Sequence, residues 1–551
     1  MTIRGRIARV VRRRRLTRAL ADIDALVDAI SPPAEAGAEQ IVVCLDQPNP
    51  ALIDGLGQRL QIPIRAILVN GSVDNALAAL RSIPRPAAII DATLTGDRIK
   101  LLRQTIFALP DGGAYVVVAP SPSWAEGVRN ALEPRKGEST AAARRRQELA
   151  DSIELGSQAQ DLAVVRKRGT HHFTLRHSAV EEVMSDQFGP DWGEVIAHHE
   201  AYEYESRATL VMHGEPAPRV KQATISVPAL SLRRYSDVTC HAREVATRGN
   251  LVLPDSFRHW QSGQLFHKRI IPATAWFGRL EDRMQRANVR HEAGEFFTFD
   301  SAFPAHFGHL TTETLSKYWG WTIARERNPD LRVVMTHQAK KDRLPAWKAQ
   351  ILGALDIPLD DILWVTQEEA VTVDSLVAAM PQLENPKYVD RGLVDTWEAL
   401  YAGLGEDPTP HDRPEKVFLS RRTRSQRWCT NTPEIESFMA GQGFAVLYPE
   451  DLPYAEQAHT FRAAKVIAGF AGSALFNMML NPKARIVVLS SRAYVAANEY
   501  LFASAAGHEI HYFWAPPLID QPSDGFTVDA YRSDFEFPLD EHRAELIKAL
   551  S

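Results

Sequence analysis

The chain has 551 residues, of which 45% are hydrophobic and 24% charged, and its formal net charge is -5. This length exceeds what a single hydrophobic core supports and predicts about three domains. The composition is that of an ordinary globular protein, and the net acidity argues against nucleic acid as a partner, because nucleic-acid binders usually carry a basic excess.

The first predicted element is a basic helix within residues 1–35. Apolar residues recur at helical spacing up to about residue 30, and eight arginines lie within residues 1–18. Two interpretations stay open. The helix either lies on an anionic membrane surface or an acidic partner, or is a solvated helix with a flexible start.

Residues 36–170 predict an α/β domain. Short β-branched runs at 41–45, 64–69, 87–91, 115–119 and 162–165 alternate with segments of helical length, which favours a parallel sheet wound by helices. The third run, the segment after it and the turn at 109–113 resemble the second half of a class I methyltransferase. The first run continues into Asp46 instead of the glycine-rich loop that a cofactor needs. We therefore predict a degenerate Rossmann-like domain with a structural or partner-binding role, and we favour this over the alternative, methyl transfer from S-adenosylmethionine.

Residues 171–249 are predicted to bridge this domain to the next, through short strands interrupted by prolines. Residues 250–385 return to an α/β rhythm, with predicted strands at 296–299, 331–336 and 361–365. Asp300 follows the first of these strands, and an amphipathic helix is predicted over 313–325. His309 and Glu313 are four residues apart, so they share one helix face if the helix begins early enough.

Residues 386–551 predict another α/β domain, centred on the segment 416–489. A strand at 417–420 is followed by four arginines, Arg421, Arg422, Arg424 and Arg427. The guanidinium group offers a planar, permanently charged fork to phosphate oxygens. Further on, a strand at 464–468 breaks into a glycine-containing turn, and a helix is predicted over 474–479. A strand, a glycine turn and a helix start present free backbone N–H groups to a phosphate, so this segment predicts nucleotide binding.

Several groups of residues in these two domains recur together in one known family. They are the arginine-rich strand end, Asn431 with Glu434, Gly443-Phe444, Glu456-Gln457, Gly469, Gly472-Ser473 and Asn477, with a weaker upstream part at Phe307-Gly308-His309 and Glu313. Their order resembles the C-terminal region of glycosyltransferase family 61, whose members are inverting transferases that use nucleotide-sugar donors. One position departs from the family pattern, because Ala471 stands where the family usually has a histidine before the second glycine.

The resemblance implies a fold. Family 61 is of the GT-B type, in which two Rossmann-like domains face each other. We therefore expect an α/β chain with an acceptor domain at 250–385 and a donor domain at 386–551, preceded by the additional N-terminal Rossmann-like domain.

The resemblance also implies the site residues. Donor binding falls to Arg421, Arg424, Arg427, Glu456, Gln457, Gly469, Gly472, Ser473 and Asn477. Among these, Glu456 would contact a ribose or sugar hydroxyl, Gln457 a base edge or the backbone, and Asn477 would tie its helix to the next strand. The base that activates the acceptor is expected to be His309, then Asp300 or Glu313. No metal or other cofactor is expected, because GT-B enzymes typically stabilise the leaving diphosphate with cationic side chains and helix N-termini.

The implied function is sugar transfer, hexosyl or pentosyl, to a cell-surface polysaccharide or glycoconjugate such as capsule or teichoic acid. The alternative is a non-catalytic scaffold or assembly protein of polysaccharide biosynthesis, in which Ala471 marks a retired donor site. A homo-oligomer also stays open, since the aromatic residues near Trp319 suit a core or an interface.

The predicted location is the cytoplasm, with peripheral contact at the inner face of the membrane through the basic N-terminus. The chain has no apolar run of roughly 18 residues, the length that a membrane-spanning helix needs. Its three cysteines, Cys44, Cys240 and Cys429, are too far apart in sequence for a disulfide framework or zinc spacing.

Overall fold

The computed structural model describes residues 3–30, 40–94, 96–158, 161–215, 220, 223–337, 344–422, 426–523 and 525–551. These residues form a mixed α/β protein in which helices pack on several sheets. No helix among them combines the length and apolar character needed to cross a bilayer. Within the same ranges, no group of three or more His, Cys, Asp or Glu side chains is arranged to hold a metal ion.

The N-terminal unit is a helix-flanked sheet. Its strands are β1 Ile41–Leu45, β2 Ile64–Leu68, β3 Ala88–Asp91, β4 Ala114–Val118, β5 Ile153–Gln158 and β6 Leu162–Lys167. Its helices are α1 Ile3–Ala21, α2 Ile23–Ile30, α3 Pro50–Leu60, α4 Val73–Arg81, α5 Arg98–Thr105, α6 Trp124–Leu132 and α7 Thr140–Asp151, with a 3₁₀ turn at Ile106–Ala108. The sheet order is β2-β1-β3-β4-β6-β5, parallel from β2 to β4 and antiparallel at β6.

The α/β rhythm predicted for this unit is what the structure shows, because each predicted strand overlaps an observed one. Residues along β1 are buried on both faces of the sheet, as expected of a parallel strand covered by helices on both sides. β5 is the exception, since it follows α7 in a charged segment that carries little strand signal.

The basic N-terminal segment forms two helices, with a break at Asp22, and not the single helix predicted. α1 packs on the N-terminal unit, where Arg15 and Arg18 both pair with Asp161, at 3.1 and 2.6 Å. Beside this helix, the loops after β1 and β3 are joined by a hydrogen bond of 2.6 Å from the Leu94 amide to Asp46. That bond ties together the two loops between which a Rossmann fold usually opens its ligand crevice.

The middle of the chain forms a large mixed sheet. Its strands are β7 His172–Thr174, β8 Gly193–His199, β12 Leu230–His241, β13 Val245–Arg248, β14 Leu251–Val252, β15 Ile270–Pro272, β16 Phe277–Leu280, β17 Asn288–Thr298, β18 Arg332–Thr336, β19 Ile362–Val365 and β20 Glu369–Ala379; β9 Tyr202–Glu205, β10 Thr209–His213 and β11 Thr224–Val227 lie outside it. Its order is β15-β16-β7-β14-β13-β12-β20-β17-β18-β19, with β8 paired to β12. The run β20-β17-β18-β19 is parallel, whereas β12 joins it antiparallel. The parallel run of this sheet is therefore extended by strands from the predicted bridging segment.

The C-terminal unit holds a parallel sheet. Its strands are β23 Lys416–Leu419, β24 Ala445–Leu447, β25 Val466–Phe470, β26 Arg485–Ser491 and β27 Glu509–Ala515, preceded by a small ribbon of β21 Leu383–Glu384 and β22 Tyr388–Val389. The order is β10-β27-β26-β25-β23-β24. β10, from the predicted bridging segment, pairs in parallel with β27 and so completes this sheet. The strands predicted at 417–420 and 464–468 both overlap observed ones.

The remaining helices lie on these two units. They are α8 Val180–Phe188, α9 Asp282–Gln285, α10 Phe307–His309, α11 Tyr318–Arg327, α12 Ala346–Ala354, α13 Leu393–Gly403, α14 Thr432–Gly441, α15 Tyr454–Ala463, α16 Asn498–Ala506, α17 Val528–Arg532 and α18 Leu539–Leu550. Short 3₁₀ segments are His177–Ala179, Gly189–Trp192, Pro254–Ser256, Leu359–Asp361, Pro410–Asp412 and Pro449–Asp451. A longer 3₁₀ helix is Ser473–Leu480. One hydrophobic core runs through both units, from Leu310 and Leu315 on one side to Leu475 and Phe476 on the other.

Candidate active site

The glycine turn predicted at residues 469–473 overlaps the end of β25, which continues to Phe470, so the observed turn begins after that residue. Gly472 has a φ of 136°, which L side chains rarely adopt, and the 3₁₀ helix Ser473–Leu480 starts directly after it. A Cβ at Gly472 would lie 3.1 Å from Nη2 of Arg421 and 3.4 Å from Nη2 of Arg427. Backbone conformation and close guanidinium groups therefore both require glycine at this position.

Two of the predicted arginines converge on this turn. Arg421 follows β23, and its Nη2 donates a hydrogen bond of 3.0 Å to the carbonyl oxygen of Ala471. Burial and the neighbouring Arg427 lower the pKa of Arg421 to about 10, so it stays cationic at neutral pH. The guanidinium of Arg427 lies over the rings of Tyr494 and Tyr531, at 4.6 and 5.1 Å from their centroids. The turn is thus flanked by two held cations.

The other two arginines of this cluster are Arg422 and Arg424. Arg422 turns towards the surface, where its guanidinium pairs with Asp451 at 2.8 Å and lies 3.7 Å from the centroid of the Tyr448 ring. Arg424 lies outside the described residues. The sequence placed four arginines in one segment, but side-chain direction separates Arg422 from the pair at the turn.

Glu499, which sequence reasoning missed, lies beneath the glycine turn. It is at the start of α16, its side chain is fully buried, and Oε1 accepts a hydrogen bond of 2.7 Å from the Gly472 amide. Oε2 has no hydrogen-bond partner among the described residues. Burial raises the pKa of Glu499 to about 7, against the opposing effects of the Gly472 amide and the two arginines. The available signal was one charged residue in the mostly apolar segment 496–506.

The facing side of the site is a continuous helical run. α10 passes into a π-helical turn, Leu310–Thr314, then a 3₁₀ turn, Leu315–Lys317, and α11. The run begins before the predicted start at residue 313. A π-helical turn inside a helix often marks a functional site, since it redirects side chains.

His309 and Glu313 meet on one face of this run. Nδ1 of His309 lies 2.7 Å from Oε1 of Glu313, and Nε of Arg258 lies 2.6 Å from the same oxygen. Burial opposes ionisation of Glu313, but Arg258 and His309 together lower its pKa below the usual value. When Nδ1–H donates to this carboxylate, the imidazole lone pair sits on Nε2, where it can accept a proton.

The two sides of the site are in contact. A Cβ at Gly308 would lie 3.0 Å from Cβ of Ser473 and 3.1 Å from Cε1 of His306. The His306 ring is 4.8 Å from the His309 ring, and partial burial, His309, Arg427 and Arg258 all lower the pKa of His306. Sequence reasoning did not single out His306, although its position three residues before His309 offered a signal. The histidines and the arginine pair therefore share one electrostatic environment.

Ala471, where the family pattern has a histidine, is part of the turn's own scaffold. Its side chain is buried in the core, its amide donates to the Leu489 carbonyl oxygen at 3.0 Å, and its carbonyl oxygen accepts from Arg421. The turn keeps its shape without the histidine. The imidazole groups on the facing side of the site are those of His306, just before the helical run, and His309, within it.

Asp300, the second predicted base, is buried at the end of β17. Its Oδ2 accepts a hydrogen bond of 3.0 Å from the Thr336 amide and another from the Thr336 hydroxyl. Burial raises the pKa of Asp300, although Lys348 and Thr336 oppose that shift. The carboxyl group joins β17 to β18 and, within the described residues, makes no hydrogen bond to His309 or Glu313.

Two residues predicted to bind the sugar donor, Gln457 and Asn477, make hydrogen bonds within the protein. The side-chain nitrogen of Gln457, Nε2, donates hydrogen bonds to the carbonyl oxygens of Pro449 and Leu452, at 2.7 and 2.9 Å. Its side-chain oxygen accepts from Nδ2 of Asn477 at 3.1 Å. Both donor hydrogens of the Gln457 amide are thus used internally, and Asn477 ties its helix to α15, whereas the sequence predicted a tie to the next strand.

The other predicted contacts are dispersed. Glu456 is exposed on α15, with Oε1 3.8 Å from Nη1 of Arg413. Gly469 is buried within β25, where an added Cβ would lie 3.0 Å from Cβ of Leu419. Ser473 begins the helix after the turn, where the first N–H groups have no intrahelical acceptor. Of these three residues, Ser473 lies beside the arginine pair.

The comparison with known families is consistent with this arrangement. Residues 307–488 match the family model described as Glycosyltransferase 61. The matched region includes the helical run and the glycine turn, but ends before Glu499 and begins after Arg258. No curated protein matches the chain significantly. Residues 307–488, within the C-terminal half of this chain, are thus similar to the glycosyltransferase 61 family, whose activity is glycosyl transfer.

Proposed function

We propose that this protein is an inverting glycosyltransferase that moves a hexosyl or pentosyl group from a nucleotide-sugar donor to a cell-surface polysaccharide or glycoconjugate. The observation that carries the proposal is the convergence of Arg421 and Arg427 on the glycine turn, directly against the helical run that holds His309. An anion-binding site and a candidate base thus face each other.

In the proposed reaction the diphosphate of the donor lies beside the arginine pair and the start of the helix at Ser473. Nε2 of His309 takes the proton from an acceptor hydroxyl, whose oxygen forms a bond to the anomeric carbon. The bond from that carbon to the phosphate oxygen breaks, and the electron pair leaves with the nucleoside diphosphate. Arg421 and Arg427 stabilise the charge that develops there, which is the role we propose for them in place of a metal ion.

The scaffold interpretation rests on a different observation. The Gly472 amide, which the sequence offered to a phosphate, already donates to Glu499. In a retired donor site this internal bond would be permanent, and Ala471 would mark the loss of the family's histidine. The scaffold therefore predicts that no nucleotide binds.

The test is calorimetric titration with a panel of nucleoside diphosphates and nucleotide sugars. The transferase is expected to bind at least one of them, and Arg427→Ala to weaken that binding, with Arg422→Ala as the control from the same loop. If no nucleotide binds, the scaffold interpretation is correct and the transferase interpretation is wrong. A chelator added to the transfer assay then tests metal independence, since the proposed mechanism predicts an unchanged rate.

The N-terminal parts have proposed roles that the same assays can probe. We propose that the first α/β unit is structural or docks a partner, because the Asp46 to Leu94 bond closes its loop edge. The basic α1 is proposed to contact the inner face of the membrane in the cytoplasm through arginines that do not pair with Asp161. Vesicles containing anionic lipid should then retain the protein at low salt and release it at high salt.

A further inference from the structure

We propose that Glu499 is a proton-linked positioning residue of the phosphate site, which holds the Gly472 amide as a carboxylate in the free protein and takes up a proton when a nucleoside diphosphate binds. This inference rests on the proposed function and extends it to a residue outside the region that matches the family. Glu499 would act through the turn, without reacting itself.

The first observation is the setting of the carboxyl group. Glu499 is 0% exposed, and Oε1 of its carboxyl group accepts a hydrogen bond of 2.7 Å from the Gly472 amide. Its second oxygen is buried and unpartnered among the described residues. A buried carboxylate with one unpartnered oxygen is poorly solvated, so a small change in nearby charge decides its protonation.

The second observation is what surrounds it. Two cations, Arg421 and Arg427, face Glu499 from the loop after β23. Three tyrosines also face it: Tyr494 from the loop after β26, Tyr512 from β27 and Tyr531 from α17. Burial raises the pKa of each tyrosine, so all three are neutral at working pH. Within the part of the chain that the structure describes, the charges that act on Glu499 are therefore those of the two guanidinium groups.

A bound diphosphate changes this balance. In the free protein the cations favour the carboxylate and keep the pKa of Glu499 near neutrality in spite of burial. The phosphate anions neutralise Arg421 and Arg427 and add negative charge, so they favour the neutral acid. The proton comes from solvent, the acid keeps its carbonyl oxygen on the Gly472 amide, and its hydroxyl becomes a donor. Product release returns the proton to solvent.

The proposal makes a specific statement about the reaction. Sugar transfer leaves a nucleoside diphosphate that carries more negative charge than the nucleotide sugar. Glu499 therefore holds its proton more firmly in the product complex than in the donor complex. A neutral amide at this position would keep the turn in place but could not adjust to that change.

The experiment is titration of the full chain with uridine diphosphate, or with whichever nucleoside diphosphate of the panel binds most tightly, at about pH 7.5 in buffers of different ionisation enthalpy. Wild type is expected to take up about 0.5 to 0.8 proton more than Glu499→Gln, because part of Glu499 is already protonated at this pH. Both proteins are titrated with the same nucleotide, so the nucleotide's own protonation cancels. Binding with equal proton uptake by the two proteins would overturn the inference and leave the proposed function standing, whereas absence of binding by wild type would overturn both.

A second measurement, the pH dependence of wild-type affinity, replaces the first if circular dichroism shows that Glu499→Gln does not fold. Phosphate groups are already ionised well above roughly pH 6, so between about pH 7.5 and pH 8.5 the nucleotide itself contributes little. The affinity of wild type for the nucleotide is expected to fall by up to about tenfold over that unit, since one proton is linked to binding. A flat profile would overturn the inference, with Arg422→Ala as a folded control expected to show the same slope as wild type.

Discussion

Nδ1 of His309 lies 2.7 Å from Oε1 of Glu313, four residues further along the chain. This contact exists because the helical run begins at Phe307, so both residues lie within it and on one face. Arg258 reaches the same carboxylate from a segment that precedes the family match. The imidazole is thereby fixed in orientation on a helical run that approaches Ser473 through Gly308.

His309→Ala is expected to lower the transfer rate by about 10² to 10⁴-fold, the usual contribution of a positioned base. The affinity for a nucleoside diphosphate should change little, since Arg421 and Arg427 remain. The measurements are release of the nucleoside diphosphate and calorimetric binding. His411→Ala, at an exposed position, serves as the matched control. A His309→Ala variant with wild-type transfer would exclude this residue as the base.

Asp300 is predicted to behave as a structural residue instead. Asp300→Ala removes the acceptor for the Thr336 amide and hydroxyl, and should cost about 1–3 kcal/mol of stability because those donors are buried. Asp300→Asn should recover part of that loss and retain most of the transfer rate. Thermal unfolding and the transfer assay together separate the roles: a folded Asp300→Asn protein without activity would point to Asp300 as the base.

Arg421→Ala and Arg427→Ala are each expected to weaken nucleoside diphosphate binding by about tenfold or more, since a hydrogen bond to a charged group contributes about 1.5–3 kcal/mol. Arg422→Ala is the control, because this arginine pairs with Asp451 on the surface. Calorimetry measures the three affinities. Equal losses for all three variants would mean that general charge, and not the turn geometry, governs binding.

Gly472→Ala is expected to lose nucleotide binding. A φ of 136° is strained for alanine by about 1–3 kcal/mol, and the methyl group would displace the Arg421 and Arg427 guanidiniums. Gly441→Ala is the matched control, because a Cβ there meets nothing within 4 Å and the backbone is helical. Both variants are compared by thermal unfolding and calorimetry. Binding by Gly472→Ala equal to that of Gly441→Ala would contradict the site.

Glu499→Gln is expected to change how stability depends on pH. Burial raises the pKa of Glu499 from 4.5 to about 7, so the native state holds this proton more tightly than the unfolded state. The stability from this group is fully present below about pH 4.5 and is lost as pH rises through about 7. Wild type should therefore lose on the order of 3 kcal/mol relative to Glu499→Gln over that range.

Thermal unfolding of wild type and Glu499→Gln from about pH 5 to about pH 8 measures this difference. The gap between their midpoints should widen in favour of Glu499→Gln as pH rises. Glu541→Gln, at an exposed position in α18, controls for the loss of one negative charge. Midpoints that stay parallel across the range would show that Glu499 does not titrate there.

Much of the secondary structure could be predicted from the sequence. Parallel strands such as β1 and β25 are short, apolar and bounded by turns, and this pattern is local, so it is readable without the fold. The glycine turn was readable for the same reason, as was the four-residue spacing of His309 and Glu313. A strand such as β5, in a charged segment, was not.

The sequence by itself determined the α/β rhythm, the glycine turn and a cluster of arginines after β23, because each depends on neighbouring residues. Only the tertiary structure decided which arginines serve the turn, since Arg421 points to Ala471 and Arg422 to Asp451. It also decided that Glu499 lies under Gly472, 27 residues away, and that β10 completes a sheet through β27. These contacts join distant segments of the chain. They cannot be predicted from the sequence pattern, because long-range packing leaves no periodic signal in it.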